Sequence, residues 1–226
     1  RVILYLNSSP EYLFSYLALW RIGAVAVPTN RVYTTSELAY MIENAGAHVF
    51  ITDADGAAAA KDLGVTVYVP ENIEELRTSP VLSPEPTGAD DLCQLQYTSG
   101  TTGKPKGAML THGNWLAAIH NVCDVLTLKQ DDVYLGIYPM GHVGISWGIA
   151  AMRAGACYVM MERYDPDRYL ALCKEHRVTV LAGMPPVIHS LVEAPAGTED
   201  AVATVREIIS EGLIIQGERN KQVLDD

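Results

Sequence analysis

VILYLNSSPEYLFSYLALWRIGAVAVP (2–28) decides the fold class, because two runs typical of β-strands enclose a run typical of a helix. The strand candidates are VILYL (2–6) and AVAVP (24–28). Between them, Ser9 can cap a helix and Pro10 can occupy its first turn. Apolar side chains recur there at helical spacing, namely Leu13, Tyr16, Leu17 and Trp20. This order of elements indicates a β-α-β unit.

The same alternation continues along the next forty residues. Further strand candidates are HVFIT (48–52) and TVYVP (66–70). The helical run before HVFIT begins with a possible capping box from Thr34 to Glu37. Its side chains at core spacing are Leu38, Met41, Ile42 and Ala45. Apolar strands separated by helices predict an α/β fold with mostly parallel sheets flanked by helices.

Residues 78–91 lack periodicity and are rich in Pro, Ser and Gly, which is typical of a linker or a long surface loop. We therefore predict two packed α/β subdomains, residues 1–90 and residues 91–226. The strand candidates of the second are LCQLQYT (92–98), GAMLT (107–111), DVYLGIY (132–138), ACYVMM (156–161) and VTVLAG (178–183). The helix after GAMLT has an apolar side made of Trp115, Leu116, Ile119, Val122, Cys123 and Leu126.

Composition narrows the class of partner. The 226 residues are 49% hydrophobic and 19% charged, which suits a sizeable core. A net charge of -11 and the lack of a Lys/Arg-rich run argue against nucleic acid or an anionic membrane surface, since both attract clustered positive charge. The most apolar stretch, residues 12–28, is interrupted by Arg21 and Gly23, so we expect no membrane span. The expected partner is a small molecule.

The four cysteines lie far apart and match no metal-ligand spacing. They are Cys93, Cys123, Cys157 and Cys173. This pattern predicts buried thiols in a reducing cytoplasm and no metal held by cysteine.

The segment from Thr98 to Gly107 combines three glycines, four hydroxyl side chains and two lysines. Glycines let backbone N-H groups converge on an anion, while hydroxyls and an ammonium add donors. An exposed hairpin turn is the alternative interpretation. The loop of kinases and GTPases requires G-x-x-x-x-G-K-[ST] between a strand and a helix, and here Pro105 breaks the spacing after Gly100. The segment is also flanked by two strand candidates, so we expect it to join two strands.

YTSGTTGKPKG (97–107) resembles the signature loop of the adenylate-forming family, which includes acyl-CoA synthetases, luciferases and peptide-synthetase adenylation domains. The resemblance extends over most of residues 1–210. It implies activation of a carboxylic acid, such as a fatty acid, by ATP and Mg²⁺, followed by thioester formation with coenzyme A. It also implies that the loop binds the phosphates. The residues so implicated are Thr98, Ser99, Gly100, Thr101, Thr102, Gly103, Lys104 and Lys106, with Lys106 also catalytic.

A second stretch, Tyr138 to Gly144, is similar to the family's next signature, in which a histidine lies between the acyl and thiol channels. The resemblance gives His142 a catalytic role, although a histidine that opens a helix after a proline-containing turn can also be structural. Gly141 stands where relatives often carry a bulkier residue, which would leave space for an acyl group. The other histidines are interpreted as structural.

Three parts of the family's machinery have no counterpart in these residues: the Tyr-Gly-x-Thr-Glu segment that contributes a magnesium-linked acid, the ribose-binding aspartate, and the C-terminal domain with its lysine. We therefore expect a piece of a longer ligase that does not turn over alone. A module that only binds nucleotide phosphates and a purely structural remnant are the alternatives. Within the enzyme class, luciferase-like or amino-acid adenylation also stays open.

Overall fold

The computed structural model describes residues 1–70, 80–98, 105–210 and 213–216. The chain divides into two compact units. The first unit contains residues 1–118 and 139–145, and the second contains residues 119–138 and 146–226. Each unit is built around its own sheet.

The first unit contains a six-stranded sheet in the order β4-β3-β1-β2-β5-β6. The strands are β1 (Val2–Tyr5), β2 (Ala26–Pro28), β3 (Val49–Thr52), β4 (Thr66–Tyr68), β5 (Leu92–Thr98) and β6 (Lys106–Thr111). Neighbouring strands run parallel except β6, which is antiparallel to β5. Helices α1 (Pro10–Arg21) and α2 (Thr35–Ala45) and the short 3₁₀ helix Ala57–Ala60 connect the first four strands.

The local sequence determines where the helices of the first unit begin. The Ser9 hydroxyl accepts a hydrogen bond from the Tyr12 amide at 3.2 Å, and Pro10 opens α1. At α2, the Thr34 side chain and the Glu37 side chain each bond the other's backbone amide, which completes the predicted capping box. All four side chains predicted for the core face of α2 are buried, namely Leu38, Met41, Ile42 and Ala45.

The second unit contains a five-stranded sheet in the order β11-β10-β9-β7-β8. The strands are β7 (Val133–Gly136), β8 (Cys157–Met160), β9 (Val180–Ala182), β10 (Glu207–Ser210) and β11 (Leu213–Gln216). Its connections include α5 (Pro166–His176), α6 (Pro185–Val192) and the 3₁₀ helix Glu199–Val202. Helices α3 (His112–Leu126) and α4 (Gly144–Ala154) contribute residues to both units. Pairing is parallel except between β10 and β11, so the predicted α/β class with mostly parallel sheets is confirmed.

The two units do not coincide with the predicted subdomains 1–90 and 91–226. Strand β5 pairs with β2 at Ala26 and Gln94, so residues 91–118 belong to the first unit. The exposed stretch before β5 also lies on that unit, because the Arg21 carbonyl accepts a 2.9 Å bond from the Glu85 amide and the Arg21 guanidinium donates to the Leu82 carbonyl. The proline-rich composition therefore marks a surface connection within the first unit rather than a boundary.

Burial was predicted wrongly for Cys157 and Leu116, which are exposed, and Cys123 is only half-buried. Cys157 is exposed because it begins β8, an edge strand of its sheet, whereas Cys93 and Cys173 are buried as predicted. Leu116, placed on the apolar side of α3, is 55% exposed. Among the described residues, no helix has the length and apolar character needed to cross a membrane.

An ionic cluster joins three strand starts of the second unit. Arg206, just before β10, donates to both carboxylate oxygens of Asp132, just before β7, at 3.0 and 2.6 Å. The Thr179 hydroxyl, before β9, donates to the same carboxylate at 2.7 Å. Burial alone would raise the pKa of Asp132, but these bonds outweigh it and hold that pKa below its usual value. Ionised Asp132 therefore stabilises the folded second unit.

Replacing Asp132 with asparagine should lower the free energy of unfolding by about 2 kcal/mol at pH 7, since it removes the acceptor of charge-assisted bonds. The pKa of Asp132 is depressed in the folded state. Its contribution is therefore present above the unfolded aspartate pKa of about 4 and is lost as pH falls through the lower folded value.

Urea unfolding of wild type and D132N between pH 7 and pH 2 should show that the free energies of unfolding of the two proteins converge as the pH falls. The exposed neighbour Asp131, as D131N, is the control; an equal loss in D131N, or a gap that persists in acid, would contradict the assignment.

Candidate functional site

The predicted phosphate segment is flanked by the antiparallel pair β5 and β6, so the prediction that it joins two strands is confirmed. In the register of this pair, Tyr97 lies opposite Gly107 and Thr98 lies opposite Lys106. Ser99 to Lys104, which the sequence assigned to the same loop, lie outside the described residues. Of the predicted site residues in the loop, Thr98 and Lys106 can therefore be located.

Tyr97 anchors the base of this hairpin. Its hydroxyl donates a 2.7 Å hydrogen bond to the Asn44 side chain of α2, and its ring is buried in the core of the first unit. A Cβ at Gly107 would lie 3.2 Å from the Tyr97 ring, so glycine lets the strand pass close over the aromatic face. Burial raises the pKa of Tyr97, which keeps the phenol a neutral donor.

Thr98 and Lys106 stand beyond this anchor, at the end of the pair that leads into the loop. Both residues are exposed, and their paired backbone positions bring a hydroxyl and an ammonium to the same end of the hairpin. These are hydrogen-bond donors suited to an anion. This end is also the carboxyl end of β5, and ligands of open parallel sheets bind beyond the carboxyl ends of the strands.

The second predicted segment forms a tight turn, residues 139–144, at the same edge of the first sheet. The Pro139 carbonyl accepts bonds from the amides of His142 and Gly144, at 3.0 and 3.1 Å. The Met140 amide donates to the Ser8 hydroxyl, which follows β1, at 3.1 Å. The Gly141 carbonyl accepts a 3.3 Å bond from the Gln96 side chain of β5. His142 itself is exposed.

Close packing of the main chain requires glycine at position 141. A Cβ there would overlap the carbonyl oxygen of Thr29 and lie 2.9 Å from its carbonyl carbon. The Thr29 carbonyl is held in turn by the buried hydroxyl of Tyr12 at 3.3 Å, so it is not free to move away. The space expected for an acyl group at this glycine is filled by main chain, and the small residue serves the packing of the turn on β2.

Sequence reasoning missed two residues of the site, Gln94 and Gln96. They alternate along β5 with Cys93, Leu95 and Tyr97, so the amides share one face of the strand. Gln94 is only 2% exposed. Two glutamines at alternate positions of an otherwise apolar strand were the available signal, because buried amides require specific hydrogen-bond partners.

The first sheet thus defines an α/β protein that carries hydroxyl and ammonium groups on a hairpin at the carboxyl end of β5, and this strand-to-strand connection is not that of a kinase-type loop. A model of the AMP-binding enzyme family matches residues 1–224, and the chain belongs to this family.

Named relatives are ligases. The chain is 31% identical to 4-coumarate–CoA ligase 3 of Arabidopsis thaliana, over 92% of this chain and 41% of that protein. It is 27% identical to the crotonobetaine/carnitine–CoA ligase of Citrobacter koseri, over 92% of this chain and 44% of that protein. Among solved structures, ATP-bound MatB from Rhodopseudomonas palustris superposes with a TM-score of 0.81 and 31% identity, covering 92% of this chain and 44% of MatB. The chain thus spans less than half the length of these relatives.

Replacing Gly141 with alanine should destabilise the first unit by about 1 to 3 kcal/mol, because an added methyl group must displace the main chain at Thr29. Gly88→Ala is the matched control, since a Cβ there meets no atom nearer than 3.7 Å. Urea unfolding of both variants measures the difference. Equal stability of G141A and G88A would show that the turn does not pack as described.

Proposed function

We propose that the protein containing this chain activates a carboxylic acid with ATP and transfers the acyl group to coenzyme A, as an AMP-forming acid–thiol ligase. The observation that carries the proposal is the hairpin of β5 and β6, which sets Thr98 opposite Lys106 at the carboxyl edge of the sheet. Family membership and the ligase relatives support the same reaction class.

In the proposed reaction, a carboxylate oxygen attacks the α-phosphorus of ATP, and the bond to pyrophosphate breaks. Negative charge grows on the leaving pyrophosphate, so fixed donors nearby lower the barrier. We assign this role to the hydroxyl and ammonium groups of Thr98 and Lys106 together with the intervening loop residues Ser99, Gly100, Thr101, Thr102, Gly103 and Lys104. The reaction requires no nucleophilic side chain. For His142 we propose a place beside the substrates, in keeping with its exposure on the turn.

Magnesium would accompany the phosphates of ATP as the substrate complex. Within the part of the chain that the structure describes, no group of three His, Cys, Asp or Glu side chains is arranged to hold a metal ion. We propose that magnesium enters the site with the nucleotide.

The acid is proposed by class only. The named relatives are ligases for 4-coumarate and for crotonobetaine or carnitine, so an aromatic or a short polar acid is as good a candidate as the fatty acid that the sequence resemblance suggests.

We place the reaction in the cytoplasm on the basis of the free cysteines. The chain covers only 40% to 45% of the length of the curated relatives, and we propose that these residues do not turn over by themselves.

The test is acid-dependent exchange between pyrophosphate and ATP, with a panel of aromatic, short polar and fatty acids, followed by a thioester assay with coenzyme A. The full-length protein should show exchange and thioester formation with one class of acid, and residues 1–226 alone should show neither. Exchange without thioester formation would favour luciferase-like or amino-acid adenylation. Binding of ATP without exchange would favour the binding module, and absence of both would favour a structural remnant.

Replacing Lys106 with alanine in the full-length protein should slow exchange by about 100-fold, the usual effect of removing one fixed donor to a developing anion. Lys61, an exposed lysine elsewhere in the first unit, gives the control K61A, for which we expect the wild-type rate. A K106A rate equal to that of K61A would remove Lys106 from the proposed site.

A further inference from the structure

Three hydrogen bonds link four residues in a chain that runs along one face of β5. The Trp115 indole N-H of α3 donates to Gln94 Oε1 at 2.6 Å, Gln94 Nε2 donates to Gln96 Oε1 at 2.8 Å, and Gln96 Nε2 donates to the Gly141 carbonyl at 3.3 Å. We call this chain of bonds the glutamine relay. It begins in the buried core of the first unit and ends on the turn 139–144.

The relay has a fixed direction. An indole N-H can only donate, so Gln94 must present its oxygen to Trp115 and its amide nitrogen to Gln96. Gln96 must then accept with its oxygen, which turns its nitrogen toward Gly141. The carbonyl at the far end can only accept. Each amide is therefore oriented by its neighbour, and reversing either one would place two acceptors or two donors face to face.

The far end of the relay acts together with two further contacts that fix the turn 139–144 to the first sheet. The Ser8 hydroxyl holds the Met140 amide after β1, and the main chain of Thr29 packs on Gly141 after β2. The third contact, from Gln96, starts two residues before Thr98, on the strand that leads into the predicted phosphate segment. The relay thus ties the position of the turn to the base of the hairpin.

We propose that Gln96 is a positioning residue: through the relay it sets where the turn 139–144 lies beside the hairpin, and so shapes the site of the substrate that reacts with ATP. This inference rests on the proposed function for its substrate, but not for its geometry. Because the hairpin has its own anchors at Tyr97 and Gly107, loss of the Gln96 bond should release the turn and leave the hairpin in place.

Two substitutions separate the relay from simple packing. Gln96→Glu keeps the shape of the side chain and the acceptor for Gln94, but at pH 8 it points a carboxylate oxygen at the Gly141 carbonyl. Gln96→Met removes the donor without adding charge. If the relay positions the turn, the nearly isosteric Q96E must be the more damaging change; if only volume matters, Q96E must resemble wild type.

The first measurement is hydrogen exchange of the backbone amides of His142 and Gly144 in the 226-residue chain without substrates. We expect exchange at least 10-fold faster in Q96E and a smaller increase in Q96M, with β5 and β6 unchanged. Gln130→Glu, an exposed glutamine of the second unit, should leave these amides at the wild-type rate. Unchanged exchange in Q96E, or faster exchange spread through β5 and β6, would overturn the proposal.

The second measurement uses the full-length protein with the acid that supports exchange. Q96M should raise the KM for that acid about 10-fold while the KM for ATP stays within about twofold of wild type. Equal increases in both constants, or no increase in either, would refute a positioning role at the acid site. If the wild-type protein supports no exchange with any acid, the proposed function fails, and the amide-exchange result still decides whether the relay holds the turn.

Discussion

Strand β5 is shared between a parallel pairing with β2 and an antiparallel pairing with β6, and the candidate site depends on this arrangement. The parallel pairing aligns the carboxyl end of β5 with those of β1 and β2. The antiparallel pairing sets Lys106 beside Thr98 at that edge. A helical crossover after β5 would have carried the chain away from the edge. The pairing of β5 with β6 therefore holds Thr98 and Lys106 at this edge without a helix after β5.

Tertiary contacts, and not strand pairing, hold the turn 139–144 at the same edge of the first sheet. It follows β7 of the second unit in sequence, but its residues belong to the first unit, where they meet Ser8, Thr29 and Gln96. Gly141 makes this possible because its lack of a side chain lets two main chains come into contact. The turn 139–144 is thus joined to β5 through the Gln96 amide, which lies just before the segment 97–107, and to the end of β2 through main-chain packing on Thr29.

The parts of the fold that depend on local chemistry could be predicted from the sequence. The caps at Ser9 and Thr34 and the alternation of strands and helices follow from neighbouring residues, and the structure confirms them. The subdomain boundary could not be predicted in this way, because the pairing of β5 with β2 joins residues nearly seventy positions apart. The role of Gly141 was missed for the same reason: the Thr29 carbonyl that excludes a Cβ is distant in sequence. Gln94 and Gln96 could be noticed in the sequence, since buried glutamines in an apolar strand require hydrogen-bond partners. The identity of those partners depends on tertiary structure and could not be predicted.

The net charge of the chain has little effect on anion binding at the proposed phosphate site. The chain carries a net charge of -11, which alone would repel a polyanion such as ATP. Charges farther away than the Debye length of about 8 Å are largely screened, so the nearest donors dominate the interaction at the proposed phosphate site. Donors are effective when their positions are set before the ligand arrives, because no reorganisation then opposes binding. In this molecule the position of the hairpin is set by a buried neutral group at its base, the Tyr97 phenol held by Asn44. Thr98 and Lys106, the exposed donors of the proposed site, follow directly on backbone that this buried anchor holds.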